Sequence, residues 1–428
     1  MPVVFGMSTY TAMLTVDTAI MGRISPEAQG VTGIGDVAFL LVALTLSGLS
    51  VGTQVMVARR LGEGDHPAIG AVFDNAIRVA MVFGALITIA LILPVEAINN
   101  LLYESPELRA MGLPFIEVKF LATLPYLISA ALQGLFIGVT ETVHFFVMTL
   151  IRSALNIFLD FALVFGLWGF PELGVTGAAW ASTIAVVVSM VYLLVVALLP
   201  HYRRKYYLFR NAFDFSRLKR LVNLSTPAGA RNMVGIFSYL VFFRIIEGIS
   251  AADLAAANIS RSVFNIIFMP TVGIGFAVSV LVSKALGEGN PDDARSKTFT
   301  AARLALWATI VPYVLMAVFA RPLGMVFTND PEVLEISIRC FRISGLFLLI
   351  YPYGMILAFA LEGAGKVWSV FLIEAGCCAV YVVCAWLFGV YWAGGVVGAY
   401  SAEIVYWVLC GLVAGLLFAR GSWKTVKV

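Results

Sequence analysis

Charge is scarce in this chain. Of its 428 residues only 12% are Asp, Glu, Lys or Arg, while 61% are hydrophobic. A soluble domain carries about 25% charge and roughly 45–50% apolar residues. The deficit excludes a soluble globular protein and points to one that lives in lipid. Histidine is scarcer still: His66, His144 and His201 are the only three, far apart and in predicted loops or at a helix start. No HExxH, CxxC or GxSxG stretch occurs. A membrane-embedded enzyme would want His, Asp or Ser clustered near one surface, so we expect no enzyme and no cofactor. The five cysteines (Cys340, Cys377, Cys378, Cys384, Cys410) all fall inside predicted spans of the second half. An odd number inside helices excludes a disulfide framework. They read as small apolar packing residues. No basic region precedes the first apolar run, so no cleavable signal peptide is expected. The first span is expected to begin almost at Met1, with no cytoplasmic tail ahead of it. Alternating ~10-residue segments are also missing, which excludes a barrel.

Long apolar runs are what the chain does have. A hydrocarbon core about 30 Å thick takes ~20 apolar residues per helix. Spans are predicted at 2–22, 34–58, 77–99, 112–138, 144–169, 174–199, 221–246, 256–285, 300–320, 336–362, 367–391 and 395–419. The expectation is an all-α integral membrane protein with twelve transmembrane helices. Most Lys and Arg fall in the loops on the N-terminal side, so those loops and both termini are expected in the cytoplasm, with the chain multi-pass in the plasma (inner) membrane. The richest loop is HYRRKYYLFRNAFDFSRLKR, residues 201–220, with seven basic residues to one acid. It reads as a topology determinant and a linker.

The chain is a duplicated unit. VARRLGEGD (Val57 to Asp65) returns as VSKALGEGN (Val282 to Asn290), at an offset of 225. Pro2 pairs with Pro227, Ile24-Ser25 with Ile249-Ser250, Arg78 with Arg303, and Pro106-Glu107 with Pro331-Glu332 at that same offset. By Pro125-Tyr126 and Pro352-Tyr353 the offset is 227. Each unit holds six spans. An even number means both enter the membrane in the same sense, as two parallel six-helix repeats facing each other across a central cleft. The expected division is 1–200 for the first lobe, 201–220 for the cytoplasmic basic linker and 221–428 for the second lobe. LGEG supplies glycines where a helix must end in a tight turn; it lacks GxxxxGK[ST] and is no phosphate loop. Four-residue glycine spacings at Gly48/Gly52, Gly134/Gly138, Gly394/Gly398 and Gly411/Gly415 suit close helix packing in lipid.

Ionisable residues inside spans are the functional candidates, since each costs ~2.5–3.5 kcal/mol at a helix centre. Asp17, in VDTAIMGR, falls in the outer half of span one. Asp160, in NIFLDFALVFG, falls in the outer half of span five, with Asn156 one turn earlier on the same face. The two acids lie at comparable depth and are expected to meet in one polar pocket. Two carboxylates close together in low dielectric cannot both stay ionised without large cost. Such a pair can bind and release a proton; with Asn156 and backbone carbonyls it could instead hold Na⁺. The bland alternative is a buried pair that only fixes packing. In the second unit Asp17 aligns with Phe242, and Asp160 with Val383 or Leu387, so the scaffold itself does not need these acids. Elsewhere, Arg244 and Glu247 are expected to pair, Glu362 and Lys366 to sit in water, and Asp36 to open span two near the outer surface. Glu374 and Glu403 have no assigned role. Tyr10, Phe39 and Tyr239 are candidates to line a cleft for amphipathic cations.

VDTAIMGR, the two LGEG turns, NIFLDFALVFG and the following GVTGAAWAST (Gly174 to Thr183), in this order across the whole chain, resemble the multidrug and toxic compound extrusion (MATE) family. The resemblance implies two six-helix lobes around a cleft. It also implies export of organic cations or other amphipathic compounds in exchange for H⁺ or Na⁺, here as a monomer. In a DinF-like branch the coupling acids lie in the VDT and N-x-x-x-D motifs, which here are Asp17, Asn156 and Asp160. Another branch carries acids in spans seven and ten, but none occurs here at 228–243 or 343–359. The rival class is a flippase for lipids or lipid-linked sugars. It would favour basic residues inside the cleft, for which only Arg152, Arg231, Arg244 and Arg261 qualify.

Overall fold

Every regular element among the described residues of the computed structural model is helical. Those residues are Gly6, Thr9, Met13, Val16–Thr18, 20–426 and Val428, with the side chain of Leu346 left aside. Most of the predicted first span therefore lies outside them, although Val16–Thr18 and 20–24 are helical. Ten described helices are long and apolar enough to cross a membrane, and Pro331–Gly363 makes an eleventh, bent by 51° between Gly345 and Phe347.

Predicted and observed boundaries differ where a helix carries on past its apolar stretch. The second span, expected at 34–58, runs from Pro26 to Gly62 with a break at Ser47. The third, expected at 77–99, is His66–Ile92, followed after Pro94 by the short helix Val95–Leu102. Hydropathy detects the part immersed in hydrocarbon, whereas helix ends are set by caps and prolines. This corrects the reading of Asp36: it does not open a helix but sits about three turns inside one.

The duplication is written into those caps. Ser25 and Ser250, 225 residues apart, both take extended backbone and accept a hydrogen bond from the amide three residues on, each at 3.0 Å. Asp65 and Asn290 do the same for Ala68 and Asp293. Between cap and preceding helix, Gly64 (φ +72) and Gly289 (φ +73) take the left-handed turn that other residues resist. One local chemistry thus starts and stops equivalent helices in both halves.

The chain forms two compact units, 1–229 and 230–428, divided within the long helix Phe215–Glu247. In the first unit Gly48 and Gly52 let their helix lie against Ser225; a methyl group on either would overlap a Ser225 oxygen. Gly134 and Gly138 are equally tight against Thr53 and Val57, whereas Gly411 and Gly415 leave room for one. The basic segment is no loose tether. Asp74, 2% exposed, accepts from the amides of Phe209 (2.7 Å), Arg210 (3.0 Å) and Asn211 (2.9 Å) and from the Asn211 side chain (2.9 Å). In the second unit Phe242 lies in an aromatic core, its ring centroid 5.7 Å from that of Tyr381 and 5.2 Å from that of Tyr400.

Candidate ion-coupling site

The helix Thr142–Val164 places Asn156 and Asp160 on one face, as the i, i+4 spacing requires. Both are buried, at 0% and 1% exposure, and Asn156 Nδ2 donates to Asp160 Oδ2 at 3.1 Å. Asp17, from the first helical segment, brings its carboxyl within hydrogen-bond reach of that of Asp160. The expected meeting of the two acids is what the first unit contains.

Among the described residues, Asp17 Oδ1, Asn156 Oδ1 and Asp160 Oδ1 are buried with no hydrogen-bond partner. A buried oxygen left unsatisfied costs about 1–3 kcal/mol, more when charged. Three such oxygens on Asp17, Asp160 and the Asn156 bonded to it make this the candidate place for a cation. Beside them is a cavity of about 50 Å³, lined by Asp17 and Asp160 together with Thr32, Asp36, Lys119 and Ser182, among others. About 10–15 Å³ suffices for one water, so the cavity beside the acids has room for water.

Sequence reasoning passed over Lys119. It is 8% exposed on the helix Pro106–Leu121, its Nζ 2.7 Å from Asp36 Oδ1 and donating to Ser182 Oγ at 3.0 Å. Ser182 lies within GVTGAAWAST on the helix Gly174–Leu198, which gives that stretch a place in the site. The pocket therefore draws on five helical segments and sets three carboxylates around one ammonium.

The other candidates sit elsewhere. Phe39 stands edge-on to Tyr126 at 6.2 Å, and Arg152 lies over the same Tyr126 ring at 5.7 Å. Tyr239 packs on Phe243 at 4.7 Å and carries the Arg261 guanidinium over its face, also at 4.7 Å. Tyr10 lies outside the described residues. Glu362 corrects the expectation that it sits in water: it is 0% exposed and paired with Arg231 at 2.5 Å. Its helix end is covered by protein, and a buried carboxylate needs a partner. Arg244 and Glu247 pair as expected, at 2.7 Å. Glu374 accepts from Tyr406 at 2.5 Å; Glu403 accepts from Trp407 Nε1 at 3.2 Å and lies 3.7 Å from Arg261.

Known proteins agree with this architecture. The profile of the family described as MatE matches residues 2–162 and 227–393, one match in each repeat. The "Probable multidrug resistance protein NorM" of Thermotoga maritima is 26% identical over 412 residues, covering 95% of this chain and 88% of that protein. The multidrug resistance protein PmpM of Pseudomonas aeruginosa is 26% identical, covering 81% and 73%. Among solved structures, a MOP superfamily transporter from Pyrococcus furiosus superposes with a TM-score of 0.91 at 18% identity, covering 99% of this chain and 95% of that one. Matched in both of its repeats, this chain belongs to the MatE family.

Proposed function

We propose that this chain exports small amphipathic or cationic compounds by alternating access, and that Asp17, Asn156 and Asp160 bind the H⁺ or Na⁺ whose inward movement drives that export. The chain is a transporter of its family and not an enzyme, and it resides in a membrane. The observation that carries the coupling assignment is that two buried acids from different helices, Asp17 and Asp160, line one cavity, each with a partnerless oxygen, while Asn156 is hydrogen-bonded to Asp160. Neutralising the pocket with a cation removes the repulsion between its carboxylates. It thereby changes which arrangement of the first helical segment is favoured, and substrate and ion then exclude one another.

The finer reading is a DinF-like member, monomeric in the plasma membrane with both termini cytoplasmic. It has a first lobe at 1–200, a basic linker at 201–220 and a second lobe at 221–428, and Tyr10, Phe39 and Tyr239 offer aromatic surface to substrate. Acids in the first unit and Phe242 in the equivalent place of the second support the branch. A lipid flippase is disfavoured by the state of its would-be anion-binding arginines. Arg231, Arg244 and Arg261 each face a carboxylate, and Arg152 lies over an aromatic ring. Purified protein in liposomes separates the two readings. Export predicts that a cationic dye leaves the vesicles when an ion gradient is imposed while labelled lipid stays in its leaflet; lipid scrambling without dye movement would overturn it.

A further inference from the structure

We propose that Lys119 determines which ion the pocket accepts: its ammonium is a tethered cation that keeps Na⁺ away from Asp17 and Asp160. The inference rests on the reading of those two acids as the coupling pair.

Lys119 lines the same cavity as both acids. Its ammonium has three donors; among the described residues Asp36 and Ser182 take two of them, at 2.7 and 3.0 Å. The Phe115 ring, 5.3 Å from Nζ, flanks the side chain. Lys119 and Asp36 come from different helices, and the Lys119 side chain is 10% exposed against 41% for Asp36. The cation is thus the inner member of the pair and faces the cavity. Arg152, two turns before Asp160 on the same helix, is the other nearby cation, held over Tyr126 outside the cavity lining.

Two consequences follow for an alkali cation. Na⁺ must gather a shell of oxygen ligands after shedding water, and Lys119 withdraws Asp36 and Ser182 from that shell. Among the described residues no group of three His, Cys, Asp or Glu side chains is placed to hold a metal ion. Na⁺ would also stand beside a fixed positive charge. Two unit charges about 5 Å apart at an effective dielectric of about 20 repel enough to weaken binding on the order of 100-fold. A proton needs no shell, because it bonds to one carboxylate oxygen and can be shared with the next.

The test compares wild type, Lys119→Gln, Lys119→Arg and Asp17→Asn. It measures thermal stability in NaCl against choline chloride at equal ionic strength, and dye efflux from proteoliposomes under an imposed Na⁺ gradient. Wild type and Lys119→Arg are expected to show no Na⁺-specific response. Lys119→Gln is expected to gain one, with Na⁺ affinity rising on the order of 100-fold. Na⁺-driven efflux by wild type, or a folded Lys119→Gln that stays blind to Na⁺, would overturn the proposal. A purely structural lysine would lower stability in all salts alike and create no Na⁺ response, which also counts against it. If Asp17→Asn transports as wild type does, the underlying reading of the coupling pair is what fails. Wild type alone decides the matter if Lys119→Gln does not fold.

Discussion

At Asn156 a single amide does two things. Its Nδ2 holds Asp160 in place and its Oδ1 is one of the three partnerless oxygens. Asn156→Leu removes both and keeps the branched shape of the side chain. We expect ion-driven efflux to fall about tenfold, equivalent to ~1.4 kcal/mol, with thermal stability changed little, since orphaning Asp160 Oδ2 costs about 1–3 kcal/mol and removing the partnerless Asn156 Oδ1 returns a similar amount. Efflux rate and melting temperature measured on one preparation check this, and equal loss of both would assign Asn156 to packing alone. Asp17, Asn156 and Asp160 were legible in the sequence because an acid in an apolar run is anomalous and the i, i+4 spacing fixes a shared face. Lys119 was not. It lies near the start of its predicted span, two residues from the exposed Glu117, where a lysine normally reaches water. Only its pairing with Asp36, 83 positions away in the chain, reveals it as buried.

Elements in this protein are joined by buried acids that hydropathy cannot see. Asp74 looks like one polar residue at the start of a span, yet it anchors the turn at 209–211, where Phe209 takes left-handed backbone (φ +61). Asp74→Ala would orphan four donors. Hydrogen bonds to a charged group are worth ~1.5–3 kcal/mol each and do not add in full, so a loss of about 3 kcal/mol or more is expected. A lower melting temperature and faster proteolytic nicking within 201–214 are the readouts; an unchanged nicking rate would show that the segment is held by something else. Helix ends were poorly legible for the related reason that caps lie outside the apolar window. Ser25 and Ser250 extend their helices well beyond the predicted starts at 34 and 256.

At the scale of the whole molecule the two units share caps and turns but not chemistry. The place of Asp17 is taken in the second unit by Phe242, 2% exposed and enclosed by aromatic rings. Phe242→Asp would bury an unpaired charge. It is expected to destabilise by several kcal/mol without giving the remaining folded protein a second coupling site, so the ion dependence of its efflux should match wild type. Melting temperature and the slope of efflux rate against ion gradient test this together. The repeat was fully legible in the sequence because its glycines and caps are fixed by backbone geometry. What the second unit does with Arg231–Glu362 and Arg261–Glu403 was not, because each pair joins residues more than a hundred positions apart.

Under the function proposed above, the acids of the first unit couple ion entry to export. That coupling is tested most directly by dye efflux from proteoliposomes under an imposed pH gradient, wild type against Asp17→Asn, with reconstitution and fold checked to be equal. Asp17→Asn is expected to lose gradient-driven efflux by at least tenfold while still binding the dye. Undiminished gradient-driven efflux by Asp17→Asn would contradict it.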